Sequence, residues 1–226
     1  MDLCCEEILH RHIDKTLENL HKNNMDACFL PRAADVPEKV ASLIAEGASI
    51  SCGGSATLVQ CGVSDLLRSG RYHFIDRTSA GTPEEKLALE REALSADVFV
   101  TSSNAVTENG ELYNVDGHCN RIGALCFGPA SVLVIAGVNK LVPDLSAAVL
   151  RVKRAAAPAN AARFDLDTYC RRTGECISIS QGRGCDPAAG CQSPQRICAS
   201  YLVTARQQDA ARGRIKVILV GEPLGF

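Results

Sequence analysis

The chain has 226 residues, 46% of them hydrophobic, a formal net charge of -2 and no tryptophan. That length supports one sizeable core with room for a small appendage. The near-neutral charge, and the lack of basic patches interleaved with aromatics, exclude nucleic-acid or anionic-membrane binding as a leading reading. In chain order, Leu9, Ile13, Leu17 and Leu20 share one helical face within 3–21 and predict an N-terminal helix over 1–24. DACFL at 26–30 predicts a strand, 35–46 a helix, and ASISC at 48–52 a second strand running into Gly53-Gly54 and a short helix from about Ser55. YHFID at 72–76 is a third strand. Pro83 opens a helix that ends before Asp97, with Thr82 as its cap and Glu84 and Glu85 in its first turn.

DVFVT at 97–101 and SVLVIAG at 131–137 are continuous apolar runs, as expected of strands covered on both faces. Pro143 and Asp144 start a helix with Leu145, Val149 and Val152 on one side, and AAAPANAA at 155–162 reads as a linker or a frayed helix end. The alternation predicts an α/β fold with a mostly parallel sheet flanked by helices. Within one domain over 1–226, the α/β core covers 25–163, a cysteine-rich insertion 164–199, and the final core strands 200–226, including SYLVT at 200–204 and IKVILV at 215–220.

Acids stand where a signal peptide has its basic start, no apolar stretch follows them, and the longest apolar run, 131–138, is too short to span a bilayer. A cytoplasmic protein without membrane insertion is expected. Thiols stay reduced there, so the twelve cysteines read as metal ligands, catalytic groups or small buried hydrophobes. Cys28 and Cys126 sit in apolar segments and read as core, Cys52 can line a pocket, and Cys4 and Cys5 read as exposed thiols.

Ligands of open α/β sheets collect at the carboxyl ends of strands. Three such ends here carry polar, small-residue loops. At the first, Gly53, Gly54, Ser55 and Thr57 allow close backbone approach and offer N–H groups to an anion, though no P-loop lysine is present; a plain tight turn explains the same residues. At the second, Ser103, Asn104 and Glu108 precede a hairpin turn at Asn109-Gly110, followed by Asn114, Asp116, Asn120 and Arg121. At the third, Asn139 and Lys140 follow the most apolar strand, and a solvated lysine is the commoner case. His118 and Cys119 are neighbours, which points them to opposite faces and argues against a Cys–His dyad.

Three blocks, SCGGSATLVQCGVSDLL (51–67), ADVFVTSSNAVTENGELYNVDGHCNRIGALCFGPASVLVIAGVNKLV (96–142) and CRRTGEC…CQSPQRIC (170–198), resemble the lactate-utilisation (LUD) domain family over nearly the whole chain. The resemblance implies the fold of the superfamily that includes CoA transferases, ribose-phosphate isomerases and glucosamine-phosphate deaminases, with a ligand site at the strand ends named above. It also implies work beside iron–sulfur proteins that oxidise lactate to pyruvate. The chain departs from the family pattern at Gln60, where relatives often carry Glu, and at His118 and Cys119, where they usually carry glycine or a small residue.

Relatives usually show C-x5-C-x2-C-x6-C. Cys170-x5-Cys176 and Cys191-x6-Cys198 keep the outer spacings, and an insertion carrying Cys185 stretches the middle. The alignment implies Cys170, Cys176, Cys191 and Cys198 as ligands, with Cys185 an extra candidate. Four thiolates suit a [4Fe–4S] cluster or tetrahedral zinc. Free thiols in a surface loop are the bland alternative, and the family's redox context favours iron–sulfur over zinc. Arg171, Arg172, Arg183 and Arg196 flank the thiolates, to offset cluster charge or simply to meet solvent.

Three functional readings follow. One is an iron–sulfur component of 2-hydroxy-acid oxidation that binds a small anionic carboxylate and works with other iron–sulfur or flavin subunits. A second is an acyl- or CoA-transferase-like enzyme: Thr107-Glu108-Asn109-Gly110 is similar to the Ser-Glu-Asn-Gly signature of CoA transferases, in which the Glu is the nucleophile. A third is a non-catalytic assembly subunit with structural zinc. Self-association is left open.

Overall fold

The structure is a computed structural model and describes residues 3–226. The chain begins with helix α1 (Leu3–Lys22), the expected N-terminal helix, whose first two anticipated positions lie outside the described residues. There follow β1 (Asp26–Leu30), α2 (Val36–Ser42), β2 (Ser49–Cys52), α3 (Ala56–Gln60), α4 (Val63–Leu67), β3 (His73–Ile75), α5 (Pro83–Glu92) and β4 (Val98–Thr101). Next come β5 (Ala105–Thr107), β6 (Leu112–Asp116), α6 (Asn120–Cys126), β7 (Ser131–Gly137), β8 (Leu141–Val142) and α7 (Leu145–Arg151). After a π-helical turn, Val152–Ala156, the chain closes with α8 (Ala157–Arg163), α9 (Tyr169–Thr173), α10 (Ile177–Ser180), β9 (Ser200–Thr204) and β10 (Ile215–Val220).

Six strands form a wholly parallel sheet in the order β1-β10-β7-β4-β2-β3. The apolar runs explain its centre. In β7, Leu133 and Ile135 face a core closed by Val36 and Val40 of α2, Leu58 of α3, and Val63 and Leu67 of α4. The alternate residues Val132, Val134 and Ala136 face a second core closed by Ile13 and Leu20 of α1 and Ala124 and Leu125 of α6. A strand buried on both faces needs apolar residues at every position.

A second sheet, β8-β5-β6-β9, was not anticipated as a separate layer. The hairpin at Asn109-Gly110 forms as expected, pairing β5 with β6. β6 then pairs antiparallel with β9 from Leu112↔Thr204 to Asp116↔Ser200. So 200–204, expected as a core strand, extends this smaller sheet, while β10 alone returns to the large one, between β1 and β7.

Local differences have local causes. The helix expected over 35–46 stops at Ser42. Residues 155–162 are helical throughout, since alanine is the strongest helix former. The π turn restarts the helix so that Pro158 falls in the first turn of α8, where its missing N–H costs no bond. Cys126 is exposed: α6 lays Ala124 and Leu125 on the sheet and turns Cys126 outward, beside a Phe127 that is 91% exposed. Cys28 and Cys52 are half-buried against the core, and burial pushes the Cys52 thiol up to about 11. Cys4 and Cys5 are exposed. No described helix is long and apolar enough to cross a membrane.

Candidate functional site

β2, β4, β7 and β10 are neighbours in the large sheet, so the loops at their carboxyl ends converge. With β6, α6 and the start of α8's exit loop they enclose a cavity of about 490 Å³. Of the residues selected from sequence, Gly53, Gly54, Ser55, Thr57, Ser103, Asn104, Asp116, Asn120, Arg121 and Lys140 line it. Asn114 supports the wall through a bond to Arg121. Asn139 is directed elsewhere: its Oδ1 accepts the Leu224 N–H at 3.0 Å, fixing the last residues of the chain beside the cavity.

Arg121 ties the second loop to α6. Its guanidinium donates to Asp116 Oδ1, to the side-chain oxygens of Asn104 and Asn114, and to the carbonyls of Ser102 and Val115. Asn104 Oδ1 also accepts the Val115 N–H at 2.9 Å. Ser103 is consumed within the wall, its hydroxyl donating to the Ala105 carbonyl at 2.7 Å. Arg77 lies over Gly54 and pairs with Glu90 at 2.9 Å, and Asn120 donates to the same Glu90 oxygen.

Lys140 is not solvated as lysines usually are; it is 3% exposed. Its Nζ donates to Thr57 Oγ1 at 2.8 Å and to Ser102 Oγ at 2.9 Å. Burial, then the positive charges of Arg151 and Arg121, push its pKa down to about 7. The anticipated helix N-terminus contributes little, because α3 has only five residues and Ser55 Oγ already accepts the Leu58 N–H.

Sequence reading missed Arg77, Lys86, Glu90, Asn160, Arg163, Phe164 and Phe226, all of which line the cavity. They come from helices and turns far away in the chain, and their spacing carries no ligand signal. Arg163 has no hydrogen-bond or ion-pair partner among the described residues; its guanidinium stacks 4.3 Å from the Phe164 ring centroid and 5.5 Å from that of Phe226. The Asn160 side-chain oxygen is buried and has no partner among the described residues. Five cationic side chains thus face this space against the carboxylates of Glu90 and Asp116, both already paired to arginine.

Glu108 lies outside this cavity. Its carboxylate meets Lys15 at 2.9 Å and His12 at 2.8 Å on α1. His118 lines the rim, while Cys119 takes a left-handed backbone conformation, φ +60°, and contacts Ser200 Oγ at 2.8 Å.

The cysteine segment folds over the other face of β6. Cys170, Cys176, Cys191 and Cys198 line one small apolar cavity of about 20 Å³, with Tyr113, Tyr201 and Lys153. Cys185 is exposed and is not part of it. Among the described residues no three His, Cys, Asp or Glu side chains are arranged as ligands around one point. Burial raises the pKa of Cys198. Arg196 donates to the carbonyls of Cys198 and Cys191, tying the last two cysteines together, and Arg172 and Arg183 pair with Asp167 and Asp186.

A family model described as the LUD domain matches residues 13–220. Among solved structures, a DUF162 family protein from Deinococcus radiodurans aligns over 94% of this chain and 98% of its own, with a TM-score of 0.53 and 13% identity, a likeness of fold. The delta and beta subunits of eIF2B from Chaetomium thermophilum align over 49% and 50% of this chain and 48% and 43% of their own, at 18% and 14% identity. Their TM-scores of 0.32 and 0.35 carry no argument. Comparison with curated proteins gives no match.

Proposed function

The chain belongs to the LUD domain family, and from that premise we propose that it serves lactate utilisation by binding a small carboxylate of the 2-hydroxy- or 2-oxo-acid class at the strand ends. One observation carries the reading: the cavity is lined by five cationic side chains, and its two carboxylate side chains are already paired to arginine. Arg163 is left without an acceptor, and a bound carboxylate supplies one in bidentate geometry.

We also propose that Cys170, Cys176, Cys191 and Cys198 hold an iron–sulfur cluster, with zinc as the competing occupant. What supports this is the donor set: four thiols bordering one apolar cavity suit either group. The thiols must draw together around the metal. An iron–sulfur cluster there would supply one-electron chemistry, linking the protein to flavin or iron–sulfur partner subunits.

Calorimetric titration with lactate and pyruvate tests the carboxylate site. Saturable binding that weakens at least tenfold in Arg163→Gln is expected. Absence of binding by either acid overturns it. Protein purified without oxygen should be brown, with iron and acid-labile sulfide near about four each per chain. Colourless protein with one equivalent of zinc assigns the site to structural metal instead.

A further inference from the structure

Among the described residues, Lys140 is the one buried cation lining the strand-end cavity that pairs with no carboxylate. Among the described residues it forms no ion pair, and both of its hydrogen-bond partners are hydroxyls. Glu90 and Asp116, the carboxylate side chains of the cavity, belong to Arg77 and Arg121. A lysine kept only to hold charge inside a protein is expected to have an anionic partner, since an unpaired buried ammonium is costly. Here the surroundings favour the uncharged amine, which is a nucleophile.

We propose that Lys140 forms a covalent imine with a 2-oxo acid bound in this cavity, its Nζ held between the Thr57 and Ser102 hydroxyls. The inference rests on the carboxylate-site reading above. The amine lone pair attacks the carbonyl carbon, so an Nζ–C bond forms while the C=O π bond breaks and its oxygen takes up a proton. The resulting carbinolamine then loses its C–O bond. Oxygen departs as water with the protons given up by nitrogen, and an N=C bond remains. No oxidant or reductant is consumed. Each hydroxyl accepts from Nζ in the resting protein and can also donate, so Thr57 and Ser102 are placed to pass these protons.

The arrangement also positions the substrate. Arg163, stacked on Phe164 and Phe226 and without an acceptor, takes the carboxylate. The carbonyl carbon, one bond from that carboxylate, then lies in the cavity that Lys140 also lines. Burial and the nearby Arg151 and Arg121 leave a substantial share of the amine uncharged at neutral pH, and most of it uncharged above that. A 2-hydroxy acid occupies the same space but has no carbonyl to attack.

The test is borohydride trapping. Wild-type protein is incubated with pyruvate, reduced with sodium borohydride, digested and sequenced by mass spectrometry. The expected result is a reduced pyruvate adduct on Lys140 that saturates with pyruvate, is suppressed by excess lactate, and is absent from Lys140→Met. Calorimetric binding of pyruvate without a Lys140 adduct overturns the imine and leaves the carboxylate site standing. Loss of both binding and adduct overturns both readings. Adducts that fail to saturate, or that fall on exposed lysines instead, overturn the imine. The wild-type measurement decides the matter even if Lys140→Met fails to fold.

Discussion

The Nε atom of Arg121 lies 2.9 Å from Asp116 Oδ1, and the other oxygen of that carboxylate accepts the Ile122 N–H at 2.8 Å. One pair thus joins the end of β6 to the first turn of α6. Arg121→Ala strands a largely buried carboxylate and four other acceptors, a loss of about 3–5 kcal/mol. Arg121→Lys should recover only a minor part, because an ammonium cannot reach five acceptors that suit a planar fork. Urea unfolding midpoints of the two variants check both statements.

Two glycines make opposite predictions. At Gly110 the backbone is left-handed, φ +78°, and an added Cβ would sit 2.6 Å from the Asn19 and Leu20 backbone of α1. Neither the turn nor the helix can give way, so Gly110→Ala should cost more than about 1 kcal/mol in thermal or denaturant unfolding. At Gly54 the added Cβ would meet only the Arg77 guanidinium, also at 2.6 Å. That end of a side chain can swing aside. Gly54→Ala should therefore fold with near wild-type stability, yet bind carboxylates more weakly when titrated.

Lys140 sets a pH dependence of defined sign. Its pKa falls from 10.5 unfolded to about 7 folded. Between those values the unfolded chain holds the proton that the folded protein has released, so stability rises with pH across this window. Below about pH 7 both states carry the charge and the folded one bears its full desolvation cost. The slope attributable to this group is about 1.4 kcal/mol per pH unit at most. The stability difference between wild type and Lys140→Met, followed by denaturant unfolding from pH 6 to 10 (about the span set by the two pKa values), should change in favour of wild type as pH rises. A flat difference contradicts the shift.

The four cavity cysteines and the exposed one should part company in metal content. Serine at Cys170, Cys176, Cys191 or Cys198 is expected to lower bound iron, or zinc, by at least half. Serine at Cys185, which lies outside the cavity, should leave it unchanged. Elemental analysis of the five variants decides it, and equal loss from Cys185→Ser would redraw the ligand set.

How far such features can be read ahead of a structure depends on the range of the interaction. β4 and β7 declare themselves as near-continuous apolar runs because both of their faces are covered. The Thr82 cap and its Glu85 partner declare themselves over three residues. Asn104, Arg121 and Lys140 stand out as polar residues at strand ends. The burial of Lys140 does not, because Thr57 and Ser102 approach it from 83 and 38 residues away. The β6–β9 pairing is likewise invisible to periodicity: β9 follows the cysteine segment, and nothing local tells 200–204 which sheet to join. Arg163 reads as the end of a helix, and only the fold turns it toward the cavity.

β6 is a partition one backbone thick. Tyr113 faces the thiols on one side, and Asn114 and Asp116 hold Arg121 against the other cavity. Because side chains alternate, shifting this strand by a single position would trade its amide and carboxylate for a phenol and deliver both to the wrong compartment. The two chambers share a parity rule, and neither can be re-registered by an odd step without spoiling the other.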